Sequence, residues 1–268
     1  MPLPAQERLT LIRVKIERAK KHIDDLDVAC NAFFTTQPNI IRFEIDPKAK
    51  QRTYYVGSIR DIPSEIAAIT GDALNNIRSA LDHLAYQLVD AAGATSTVQT
   101  SFPIYDSPEK YKTDFVRKIK GMRQDAIDAI DAIRPYKGGN DALWRLHSLN
   151  NIDKHRLLIT VSMMNSSHSM TPSQKAEVTK RFRGSMPSDP LPNLVGIHIA
   201  SPMRNIPLKT GDALLTIPES EVEQYMQFRF HVAFAEHQII EGYSVVETLK
   251  QMADLVDNIV SSFAPLHK

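Results

Sequence analysis

A chain of 268 residues is long enough for one large domain or two small ones with a substantial core. Its composition, 43% hydrophobic and 24% charged, is that of an ordinary globular protein, and a formal net charge of +1 excludes a molecule that holds nucleic acid through bulk charge. One cysteine, Cys30, excludes an internal disulfide, and apolar runs as short as Leu157–Val161 exclude a helical membrane span, so a cytoplasmic home is expected.

The opening MPLPAQERL has no basic stretch followed by an apolar run, so it is not expected to act as a secretion signal. Residues 5–32 predict a helix, with Leu9, Ile12, Ile16, Ile23, Leu26 and Cys30 at three- and four-residue steps. Ile40–Ile45 and Arg52–Ile59 predict two strands joined by a turn over Asp46–Lys50. Pro63 and Ser64 then open a long helix that stops near Gly93, with proline at the start and glycine past the end. After a loop over 94–107, helices are expected at Pro108–Met122 and Gln124–Arg134. A third is expected from a cap at Asp141 to about His155.

The second half changes character. Leu157–Met163, Asn193–Ser201, Leu208–Ile217 and Gln227–Ala235 read as strands, and Asn165–Ser173 and the proline-rich Ser185–Asn193 as irregular. Val245–Phe263 predicts a closing helix. The expected fold is α+β: a helical bundle around one long helix, a mainly antiparallel sheet, and a C-terminal helix packing back. Residues 1–156 form the mainly helical region with a hairpin at 40–59, and 157–268 the strand-rich region, the two integrated in one domain.

The long helix carries the most distinctive chemistry. At about 100° per residue, Ile66, Ala73, Ile77, Leu81, Leu84 and Leu88 share one arc. Asp72, Asn75, Asn76, Ser79, Asp82, His83, Tyr86 and Gln87 share the other, and Arg78 sits on the border in line with Asp82. That polar arc has no lysine or glutamate, the residues that usually fill a solvated face. Its short side chains make directed hydrogen bonds, so the face is expected to meet another helix, a second copy or a ligand.

The segment Arg78-Ser79-Ala80-Leu81-Asp82-His83 resembles the signature of HEPN ribonucleases, an arginine and a histidine separated by four to six residues. The resemblance implies an α-helical protein that dimerises and cleaves RNA without a metal or other cofactor. Arg78 would stabilise the transition-state charge and His83 would serve as general base or acid. In that reading Asp82 assists, and Asn75, Asn76, Lys154, His155 and Arg156 bind substrate. The chain is also similar to bacterial proteins of unknown function that share an RSALDHLAYQL-like helix and a later LHSLNNIDKHR-like segment.

That later segment, Leu146–Arg156, gathers His147, Asn150, Asn151, Asp153, Lys154, His155 and Arg156. Its cations suit the last turn of a helix, where they oppose the dipole. The cluster would also suit a helix packed on the long one through a buried polar network, or one supplying phosphate contacts. No HExxH and no paired cysteines are present, and no metal is expected. The basic helix after Pro108 and the segment Lys175–Arg183 could track a phosphate backbone, with Tyr111 or Phe182 stacking on a base.

Two readings follow. One is a metal-independent, dimeric endoribonuclease. The other is a non-catalytic oligomeric binding or structural protein in which the same polar residues form a buried network. The first needs Arg78 and His83 open to a cleft; the second needs them covered and paired.

Overall fold

The computed structural model describes residues 4–167, 208–222 and 227–267. The fold is α+β. The helices are α1 (Ala5–Thr35), α2 (Ser64–Ala91), α3 (Pro108–Lys118), α4 (Gln124–Ile133), α5 (Asp141–Asp153) and α6 (Val245–Ser262). The strands are β1 (Ile40–Asp46), β2 (Gln51–Ser58), β3 (Thr160–Ser167), β4 (Ala213–Pro218), β5 (Gln227–Glu236) and β6 (Ile240–Ser244). Two antiparallel-paired sheets result, ordered β1-β2-β4 and β3-β5-β6.

The chain divides into two compact units, one built from residues 1–33, 62–160 and 233–268, the other from 34–61 and 161–232. Both are discontinuous in sequence.

In the first unit α2 lies at the centre. Ala73, Leu74, Ile77, Ala80, Leu81, Leu84 and Ala85 have no measurable exposure, so its apolar arc is wholly buried. Burying each large side chain contributes about 1.5–3 kcal/mol, which makes this stripe the main anchor of the unit. Helix α1 runs antiparallel to α2, with buried Arg8 donating to Gln87 O at 3.0 Å and pairing Asp90 at 2.8 Å. Helix α6 packs back along α1, also antiparallel. Arg13 meets Ser261, Lys20 meets Asp257 and Lys250 meets Asp27 in a descending ladder. Helix α5 packs antiparallel on α2, Arg78 facing His147 and Gly71 facing Asp153. Cys30 is a core residue; burial, then Asp27, pushes its thiol up to about 11.

In the second unit the hairpin turns on Asp46, whose carboxylate accepts from the Lys48 and Ala49 amides at 2.9 and 3.0 Å. Strand β4 extends that hairpin, and Arg52 on β2 pairs Glu219 at 2.6 Å. Val56 and Leu208 are buried, with Ile41, Ile59, Leu214 and Phe230 packed around them.

Several expectations need correction. The cap of α5 is Asn140, which accepts from the Leu143 amide at 3.2 Å, while Asp141 accepts from Gly138 N at 2.7 Å and pins the preceding turn. Helix α3 stops at Lys118, short of Met122, because the chain turns through Gly121 at φ 92°. The strand expected from Leu208 begins only at Ala213. Residues 208–212 form a turn, with Lys209 N donating to Asp212 at 2.7 Å and Gly211 at φ 91°. Residues 165–167, expected to be irregular, close β3. Strand β6 was not expected; it spans five residues and carries Gly242 at φ 81°. The remaining segments expected within 168–207 lie outside the described residues, as does Phe182.

Candidate functional site

Arg78 sits on the border of α2's apolar arc, and the structure resolves that border position inward: the residue is 5% exposed. A buried guanidinium must have its donors satisfied. Nη1 donates to Asp82 Oδ1 at 2.6 Å, one turn on. Nη2 donates to the Phe102 carbonyl at 2.9 Å, and Nε donates to His147 Nδ1 at 3.3 Å. Asp82 Oδ1 also accepts from the Phe102 amide at 3.0 Å. The Arg78–Asp82 pair therefore grips both the N–H and the C=O of one loop residue. Phe102 itself has no exposure, and Ile104 follows it into the core.

His147, from the middle of α5, completes the cluster. Its Nδ1 accepts from Arg78, so the neutral ring carries its proton on Nε2. Nε2 lies 3.1 Å from Asn151 Nδ2, so the amide accepts that proton only when its oxygen and nitrogen are exchanged by a flip. Burial first, then the charges of Arg78, Lys118 and Lys154, pushes the imidazole down to about 3. It is thus neutral through the whole physiological range.

Lys118 ends α3 on the far side of the same loop. Its carbonyl accepts from the Ser101 amide at 3.4 Å, next to Phe102. Its ammonium lies 4.5 Å from the centre of the Tyr105 ring. Burial and then Arg78 lower its pKa, against the opposing pull of Asp82. A second tie runs from Trp144 Nε1 to Asp106 at 3.2 Å, and Lys110 with this indole holds the Asp106 carboxyl below its ordinary value.

The other expected residues are placed as follows. His83 is exposed on α2, and burial and then Lys15 of α1 lower its pKa. Five residues apart on a helix, Arg78 and His83 point about 140° away from each other. Within one chain they meet different neighbours. Asn75 is exposed, and Asn76 turns back to donate to Asp72 O at 2.8 Å. Lys154 and His155 are exposed at the end of α5. Arg156 gives both terminal nitrogens to Glu236 at 3.0 and 2.8 Å, and Glu236 also accepts from the Ile159 amide at 2.7 Å. Burial acts to raise the Glu236 carboxyl, but Arg156 and that amide outweigh it and hold the group below its usual range. A cavity of about 380 Å³ opens beside Asn151, Ile152, His155 and Arg156. Tyr111 is buried in a ring cluster, 4.9 Å from Phe115 and 5.4 Å from Tyr136, so it is not a free stacking platform.

Close approach of α5 to α2 has its own signature. A Cβ at Gly71 would collide with the Asp153 carboxylate. Burial and then Asp72 raise the Asp153 pKa. Among the described residues no three His, Cys, Asp or Glu side chains gather as a metal site requires. Likewise, no helix among them is long and apolar enough to cross a membrane.

Phe102 and Tyr105 are the parts of the site that the sequence did not single out; Lys118 belongs to the basic helix after Pro108, which the sequence marks only as a phosphate-tracking face. The one usable signal was Arg78 in line with Asp82, a pair needing a third partner. Comparison with protein-family models, curated proteins and solved structures gave no match.

Proposed function

We propose that this chain is a non-catalytic binding protein whose central helix is locked by the Arg78–Asp82–His147 network, and that it pairs with a second copy along the exposed strip of α2. The observation that carries this reading is the guanidinium of Arg78. It is almost fully buried, and each of its three nitrogens donates to one partner, Asp82, Phe102 or His147. A phosphate-binding arginine would have to abandon a buried carbonyl and a charged partner to reach a substrate, at a cost of several kcal/mol. The strip that remains outside, with Asp72, Asn75, His83 and Tyr86, is rich in short-range hydrogen-bonding groups suited to a partner helix.

The test is direct. The purified chain, in EDTA, is incubated with labelled RNA, and its mass is measured by light scattering. The reading expects intact RNA and twice the 30.1 kDa chain mass. RNA cleavage abolished by His83→Ala, with unchanged thermal stability, would instead establish the metal-independent HEPN-like ribonuclease. In that case the exposed imidazole is the reacting group, and Arg78 must swing out of its network.

A further inference from the structure

We infer that the mouth of the Arg78 network is a binding site for a small phosphate-class anion, anchored by Lys118. The inference rests on the binding-protein reading, because it takes Arg78 as fixed in place and assigns the ligand contact to the lysine. The geometry comes from three elements. The end of α3 is tied to the loop by the Ser101–Lys118 backbone bond, the next loop residue is gripped by Arg78 and Asp82, and His147 lies against the other edge of Arg78. Lys118, Arg78 and Asp82 therefore surround one short stretch of backbone.

The charge there does not balance. Two cationic side chains, Arg78 and Lys118, face a single carboxylate, Asp82, since His147 is held neutral. Asp82 already spends its Oδ1 on Arg78 and the Phe102 amide. The neighbouring acids are committed elsewhere: Asp106 pairs Lys110 at 3.1 Å, and Asp114 pairs Arg117 at 3.3 Å. Among the described residues no carboxylate lies within ion-pair distance of the Lys118 ammonium, which leans on the Tyr105 ring instead. A half-buried ammonium beside a buried guanidinium is unfavourable until an anion joins them. Asp82, His147, Lys118 and Tyr105 all keep part of their surface exposed, so the cluster reaches solvent.

A phosphate group suits this setting. It offers several acceptor oxygens to the freely rotating donors of a lysine and gains from the guanidinium field behind. Lys154, exposed and close enough to press on the His147 titration, adds to the same field.

Inorganic phosphate is titrated into the full chain by calorimetry, with chloride at matched ionic strength as the blank. A dissociation constant of about 1 mM or tighter is expected, weakened about tenfold or more by Lys118→Gln and unchanged by Lys120→Gln. A nucleoside monophosphate in a parallel arm shows whether a base adds to the phosphate contact. In the wild-type chain, phosphate should also slow acetylation of Lys118 but not of Lys120, read by mass spectrometry. That arm needs no variant to fold. Equal binding by the wild type and Lys118→Gln, no heat above the chloride blank, or no protection of Lys118 overturns the inference. RNA cleavage would defeat the binding-protein reading but would leave this titration to be judged on its own.

Discussion

Removing the Arg78 side chain is the sharpest probe of the network. Arg78→Ala deletes three hydrogen bonds and leaves the Phe102 carbonyl and His147 Nδ1 without their donor. Breaking a buried ion pair by deleting one partner costs about 3–5 kcal/mol when the survivor stays dry. Here the survivor is not dry: the Asp82 side chain is 38% exposed, so water rescues part of its charge. The bond to the Phe102 carbonyl is buried, and losing that donor costs about 1–3 kcal/mol. A net loss of about 3 kcal/mol follows, which in a unit of this size lowers Tm by about 6–12 °C. Arg78→Lys keeps a charge for Asp82 but cannot span Asp82, Phe102 and His147 together, so it should fall between. Thermal unfolding followed by circular dichroism gives the magnitude. Amide exchange at Phe102 gives the location, since its N–H depends on an Asp82 positioned by Arg78. If Arg78→Ala lies within about 0.5 kcal/mol of the parent, or Phe102 exchange is unchanged, the clamp contributes nothing and the reasoning fails.

Four further outcomes follow from the structure. His147 is neutral when folded, with a pKa pushed down to about 3 from 6.5, so the unfolded chain binds a proton that the folded chain refuses. Its contribution is therefore complete above pH 6.5 and declines below it by about 1.4 kcal/mol per pH unit, and His147→Gln should show a flatter stability profile between pH 6.5 and 4. Of the Arg156–Glu236 pair, the arginine is the costlier partner to remove. Arg156→Ala strands a carboxylate that is 3% exposed, whereas Glu236→Gln leaves an arginine that is 50% exposed and can solvate; chemical denaturation should order them so. Asp153, with its pKa raised by burial and Asp72, opposes folding once it ionises, so Asp153→Asn should stabilise at pH 7 and the gain should vanish below pH 3.8. In a double-mutant cycle, Gly71→Ala should be about 1 kcal/mol or more better tolerated in an Asp153→Ala background, because the colliding carboxylate is gone.

The long helices α1, α2 and α6 were legible because each buries a stripe that repeats at 3.6 residues. The buried positions of α1, from Leu9 to Cys30, are those its spacing marks. The β1–β2 hairpin was legible because turn chemistry and alternation agree over Ile40–Ser58. What failed were stops decided by single backbone angles, such as the end of α3 at Lys118 ahead of the turn through Gly121, and a strand as short as β6, too brief for a period to register.

The site shows why periodicity carries less far for chemistry than for fold. A helical projection says which residues share a face, and it paired Arg78 with Asp82, a bond the structure contains. It cannot say what lies opposite that face. Arg78's decisive partners come from Phe102, 24 residues on, and His147, 69 residues on, and neither separation leaves a trace in local pattern. The projection did hold one warning. An arginine on the border between arcs, with an aspartate one turn later, has a neutralised charge and an apolar flank, and both favour drawing it inward. His83, deeper in the polar arc and without such a partner, stays outside. A guanidinium turned inward and an imidazole turned outward from one helix can act on a single phosphate only if another surface brings one of them round, so the oligomeric state of this chain decides how far its chemistry extends.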